Sequence, residues 1–142
     1  MKIVWPVLSV IIALVLFISS SIPSEISGAA SRSIAAMAAR LIPLSMDTWN
    51  FLVRKAAHFI MFFSLGFCVA QALKFHIRSV MRVCVYAWII ASLYGVVDEI
   101  HQYFVPGRVF SVADMVLNAS GALVGVGIVW LMLRGKDRNI FL

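Results

Sequence analysis

Charge is scarce in this chain. Only 13% of its 142 residues are Asp, Glu, Lys or Arg, and the acids number six. Against that, 63% of residues are hydrophobic and the mean hydropathy is +1.00. A water-soluble domain of this length cannot hide so much apolar surface, so a bilayer has to take up the excess. The length suits one compact domain, residues 1–142, and no second one. Cysteine is nearly missing: Cys68 and Cys84 lie inside apolar runs, with no second Cys or His at ligand spacing. That argues against a disulfide framework or a zinc site and leaves buried packing. Strand-like alternation and internal repeats are lacking too. Nor is there a GxSxG, HExxH or P-loop signature of hydrolytic or nucleotide chemistry. The net charge of +6 does not point to nucleic acid, because no aromatic–basic groove pattern accompanies it. The basic residues sit at the ends of hydrophobic runs, which reads as membrane topology and contact with anionic headgroups.

What is present is four apolar runs, at about 3–20, 50–73, 81–104 and 112–133. Each is long enough to cross a bilayer as a helix rising 1.5 Å per residue. The expected fold is therefore an all-α integral membrane protein with four transmembrane helices. Pro6 is harmless in the first turn of the first run. Lys2, the apolar stretch and Ser19–Ser21 would also suit a secretory signal. That run is long for one and lacks a clear A-x-A-like site, so an uncleaved helix is the better reading.

The connection from 21 to 47 is too long for a simple turn. Within it Ile26, Ala30, Ile34, Met37 and Leu41 recur at helical spacing, with Arg32 and Arg40 on other faces. Ser24 is placed as the cap of this segment and Pro43 beyond its end. The pattern predicts an amphipathic connecting helix on the membrane interface; a loop packed over the helix ends is the alternative. Orientation follows from the basic residues. Lys2, Lys74, Arg78, Arg82, Arg134, Lys136 and Arg138 crowd short segments on one side. Arg32, Arg40, Arg54, Lys55 and Arg108 are spread over longer connections on the other. Both termini are thus expected in the cytoplasm, in a multi-pass protein of the cell membrane. Trp5, Trp49 and Trp130 near the span ends suit aromatic belts.

The stretch YGVVDEIHQYF, residues 94–104, sets two of the six acids directly after an apolar run. Asp98, Glu99, His101 and Gln102 close the third span, whereas Arg54, Lys55 and His58 enter the second. Arg108 lies in the link VPGRVFS, and Asp114 and Asn118 open the fourth span. In a chain that crosses alternately, these three helix ends share one side whichever way the protein is inserted. Asp114, Asn118, Gly121 and Gly125 form one stripe, and His58, Phe62 and Leu65 another with Arg54 a turn earlier. Tyr94, Asp98 and His101 or Gln102 share a face, with Glu99 about 100° away and within reach of Tyr103. Ionisable groups at such depth are costly unless paired, which makes these ten polar residues candidates for a binding pocket. Lys55 and Arg108 neutralising Asp98 and Asp114 would instead make a helix lock, although buried pairs stabilise poorly. Gly121 and Gly125 permit a close helix approach, within the chain or between copies; the oligomeric state stays open.

Three motifs in this order, RKAAHF…LG at 54–66, DEIHQYFVPGR at 98–108 and SVADMVLNASGALVG at 111–125, resemble the VanZ-like family over roughly residues 50–130. The resemblance implies that Lys55, His58, Asp98, Glu99, Gln102, Arg108, Asp114 and Asn118 are family-signature positions. It also implies a link to resistance against the lipoglycopeptide teicoplanin, the association that named the family. Met61 and Phe62 stand where relatives often carry an acid and a tyrosine, which implies a drier or altered site.

Three functions compete. In the first, the pocket binds or remodels a cell-envelope lipid or glycoconjugate without catalysis. Arg54, Lys55 and Arg108 would hold a lipid phosphate, and the acids would orient them. Its partners are then membrane lipids or a lipid-linked envelope precursor, it needs no cofactor, and glycopeptide susceptibility is a downstream effect. In the second, Asp98, Glu99 and Asp114 hold Mg²⁺ or Mn²⁺ in an enzyme acting on a lipid-linked phosphate or glycan, with His58 or His101 as acid or base. The third, a proton-coupled carrier, fits poorly with four spans and no inverted repeat.

Overall fold

The computed structural model describes residues 2–39, 42 and 44–138, excluding the side chains of residues 24, 25, 27, 29, 30, 33, 38 and 135–138. It is all-helical: α1 (Val4–Ser21), α2 (Ser24–Ala39), α3 (Met46–Leu73), α4 (Val80–Tyr103) and α5 (Val112–Arg138). No strand occurs among the described residues. Four of the helices, α1, α3, α4 and α5 as far as Arg134, are long and apolar enough to cross a membrane. The second span begins at Met46, ahead of the apolar run, because Ser45 caps it by accepting from the Thr48 N–H at 3.2 Å. Asp47 follows in the first turn, where the helix dipole favours a negative charge.

α3 is the hub and packs against each of the other four helices. Its closest neighbour is α5, and the reason is glycine. A Cβ on Gly66 would fall 2.6 Å from the Ala122 carbonyl oxygen, and one on Gly121 would fall 2.6 Å from that of Phe59. Gly125 meets the Phe63 carbonyl in the same way. The small-residue stripe of α5 is thus spent on packing within the chain. The core is lean, with Ala70, Ala87, Ala91 and Ala122 fully buried beside Phe62, Leu16 and Val129. Large apolar side chains such as Leu93, Val116 and Leu131 point outward instead, as lipid-facing residues do. Cys68 and Cys84 are buried and free. Tyr94 ties α4 to α1 by donating to the Ala13 carbonyl at 2.6 Å, and Trp88 ties α4 to α5 through the Ala119 carbonyl at 3.1 Å.

The connecting segment is a helix, starting at Ser24 itself rather than after a cap there. It turns Gly28, Ser31 and Ala35 inward and latches to α3 where the Ser31 hydroxyl donates to Asn50 Oδ1. Ile26 and Met37 of the expected apolar stripe face away from the protein, as an interfacial helix requires, while Ile34, though exposed, borders a small cavity against α1 and α3. Arg40, Leu41 and Pro43 lie outside the described residues.

Candidate functional site

At the end of the bundle where α1 and α4 finish and α3 and α5 begin, a cavity of about 580 Å³ opens. That volume is typical of ligand sites. The first turns of α3 supply Asp47, Asn50, Phe51, Arg54, Lys55 and His58 to its wall. Gln102 closes α4, Gly107–Ser111 forms the link, and Asp114 comes from the first turn of α5.

The link is built by a turn that proline and glycine prepare. The Arg108 N–H reaches the Val105 carbonyl at 3.1 Å, and Gly107 has φ 73°. Proline second and glycine third in such a turn is a type II geometry, open to glycine because it lacks a Cβ. The turn swings Arg108 back over the bundle. Its guanidinium donates to Gln102 Oε1 at 3.3 Å, and to the Ser19 carbonyl of α1 and the Ile22 carbonyl at its C-cap, each at 3.4 Å. Burial, and then the nearby Arg54 guanidinium, pull Arg108 below its ordinary pKa; Asp98, Glu99 and Asp114 pull it back up.

Ser111 ends the link and starts α5. Its hydroxyl accepts from the Asp114 N–H at 3.3 Å, while its own N–H donates to Glu99 Oε2 at 3.0 Å. Asp114 then pairs with Lys55 of α3. One chain of contacts therefore runs from α4 through the cap of α5 to α3. Lys55 also lies 5.1 Å from the Phe51 ring centroid, which contributes a cation–π contact.

Asp98, Glu99 and Asn118 sit behind the lining, with exposures of 3%, 0% and 0%. Asp98 Oδ2 accepts from Gln102 Nε2 at 2.8 Å, and the same nitrogen reaches the Ser20 hydroxyl at 3.3 Å. Asp98 Oδ1, Glu99 Oε1 and both amide atoms of Asn118 are buried with no hydrogen-bond partner among the described residues. His58 is within electrostatic reach of Asp98, Arg108, Asp114 and Lys55.

Of the ten sequence candidates, Arg54, Lys55, His58, Gln102, Arg108 and Asp114 line the cavity, Asp98 and Glu99 bond to its lining residues Gln102 and Ser111, and Asn118 is buried one turn beyond Asp114. His101 does not join them. Its ring stacks on Phe17 at 4.4 Å, and its Nε2 lies 3.0 Å from the Ser21 hydroxyl. Three residues beyond Asp98 is about 60° off that residue's direction, whereas Gln102 at four is about 40° off on the other side; the first offset is enough to reach α1. Glu99 bonds to Ser111 rather than Tyr103, which is 65% exposed. Asp47 and Asn50 were not foreseen, although stepping the His58 stripe back through Arg54 by fours and threes leads to both. The α1 carbonyls that hold Arg108 carry no side-chain signature at all.

No group of three or more His, Cys, Asp or Glu among the described residues is placed to hold an ion, since Asp114 turns to Lys55 and Glu99 to Ser111. Met61 and Phe62 do not line this cavity: Phe62 is fully buried in the core, and Met61 borders a smaller, adjoining cavity. Neither the curated proteins nor the solved structures contain a match to the chain. The VanZ/LLP1 family profile matches residues 5–133, nearly the whole chain, so this membrane protein with its charged end-cavity belongs to the VanZ/LLP1 family.

Proposed function

We propose that this VanZ-family membrane protein binds or remodels a cell-envelope lipid or glycoconjugate in the charged cavity, on the outer face of the cell membrane. The observation that carries the reading is a roomy cavity that gathers three cationic side chains, Arg54, Lys55 and Arg108, at an end of the bundle with several unpartnered buried polar atoms. Asp98, Glu99 and Asn118 bury acceptors and donors that have no partner among the described residues. Each such group costs about 1–3 kcal/mol, so this end of the bundle is not built for stability alone. Arg54 and Arg108 supply planar donors suited to phosphate, and Lys55 a point charge. No catalytic step is part of the reading. A changed susceptibility to glycopeptides would be a consequence of capturing or reorganising an envelope precursor.

The direct test is native mass spectrometry of the protein purified from membranes, beside Asp98→Asn and Arg108→Ala. A defined lipid or glycolipid adduct in the wild type that both variants lose is the expected result. The same nonspecific lipids on all three proteins would overturn the reading and leave the charges as a helix lock. Conversion of the adduct by the wild type alone would favour the enzymatic alternative.

A further inference from the structure

We infer that the ligand is an anionic membrane lipid whose phosphate sits between Arg54 and Arg108 and whose hydrocarbon chain enters an apolar groove between α1, α2 and α3. This narrows the binding reading above and rests on it. A second cavity, of about 250 Å³, adjoins the first, and Arg54, His58 and Arg108 border both. Beyond those three the lining turns mostly apolar, with Leu16 of α1, Ile34 of α2, and Val53, Ala57 and Met61 of α3. From Arg54 to Met61 the groove follows α3 for about 10 Å, at 1.5 Å per residue. Ile34 is 58% exposed and Ala57 is exposed, so the groove opens on the flank of the bundle, where bilayer chains lie.

Charge decides which end of a lipid goes where. Lys55 is engaged by Asp114. Arg54 is half-buried and makes no hydrogen bond or ion pair among the described residues. It is also the strongest charge acting on Arg108. The two guanidinium groups form an unequal fork for one phosphate at the mouth of the groove: Arg54 donates, while Arg108, already held by Gln102 and the Ser19 and Ile22 carbonyls, adds its charge beside it. A free anion would need only the polar cavity. The passage from guanidinium to apolar lining fits a molecule that is itself charged at one end and hydrocarbon at the other.

The probes are long-chain phosphatidic acid and its dihexanoyl analogue, titrated against the purified full-length protein by native mass spectrometry. Ala57→Trp fills the groove from α3, and Ile34→Trp fills it from α2 at a side chain the core does not use. Both should weaken the long-chain lipid at least tenfold and leave the dihexanoyl lipid within about twofold, while Arg54→Ala should weaken both lipids at least tenfold. If neither tryptophan affects the long-chain lipid while Arg54→Ala still does, the groove is wrong and the polar cavity stands as the binding site. Should Arg54→Ala leave both lipids unaffected, or the wild type bind neither, the phosphate fork is wrong. The adduct experiment above then judges the broader reading by itself.

Discussion

Asn118 has no exposed surface, and neither end of its amide has a hydrogen-bond partner among the described residues. Burying an amide in that state costs about 1–3 kcal/mol, and leucine has nearly the same shape without the polar atoms. Asn118→Leu should therefore raise stability by about 1 kcal/mol in thermal unfolding in detergent. A loss of stability would show that the fold itself uses the amide. The Lys55–Asp114 pair points the same way. Its side chains are 28% and 23% exposed, and pairs that solvent reaches contribute at most about 1 kcal/mol. Among the described residues Asp98 is held by Gln102 and by no base. These residues were legible in sequence because acids are so rare here that two side by side at a span end stand out. Their partners were not: helical spacing gives a direction around one axis, and says nothing about which neighbour stands there.

Among the elements, the α3–α5 contact sets the geometry of the cavity, because Lys55 and Asp114 meet only if those helices approach closely. Gly66→Ala and Gly121→Ala put a methyl group against backbone that cannot step aside, so each should destabilise by about 1–3 kcal/mol. Gly127 on the same helix has nothing within 4 Å of its would-be Cβ. Gly127→Ala should instead stabilise by up to about 1 kcal/mol through helix propensity. Thermal unfolding of the three variants separates packing from propensity, and equal effects would refute the close-approach account. The sequence pattern placed Gly121 and Gly125 on one face but left their partner open, within the chain or in another copy. The connecting helix shows the same limit. Its apolar periodicity was readable, yet the face that packs on α3 is the small one, Gly28, Ser31 and Ala35. Small side chains let two helices meet, while the larger apolar ones are left for lipid.

For the whole molecule, the cavity, α2 and the α4–α5 link share one end of the bundle, and the α3–α4 link lies at the other. The proposed orientation puts the cavity end outside. Val109, 80% exposed in the cavity-end link, and His76, exposed in the opposite link, report on it. With Cys68 and Cys84 buried, a membrane-impermeant maleimide should label Val109→Cys on intact cells, and His76→Cys only after lysis. The reverse pattern would invert the protein and place the cavity in the cytoplasm.

Hydropathy alone determined that this chain is a helical membrane protein with four spans, because a bilayer demands long apolar helices and little else in the sequence could satisfy it. Alternation of the spans then gathered the polar residues at one end, since direction reverses at each crossing. Only the tertiary structure decided that His101 leaves the group, that Asp47, Asn50 and the α1 carbonyls join it, and that the carboxylates face separate partners. Those outcomes depend on helix rotation and on how closely backbones approach, quantities set by packing between segments far apart in the chain.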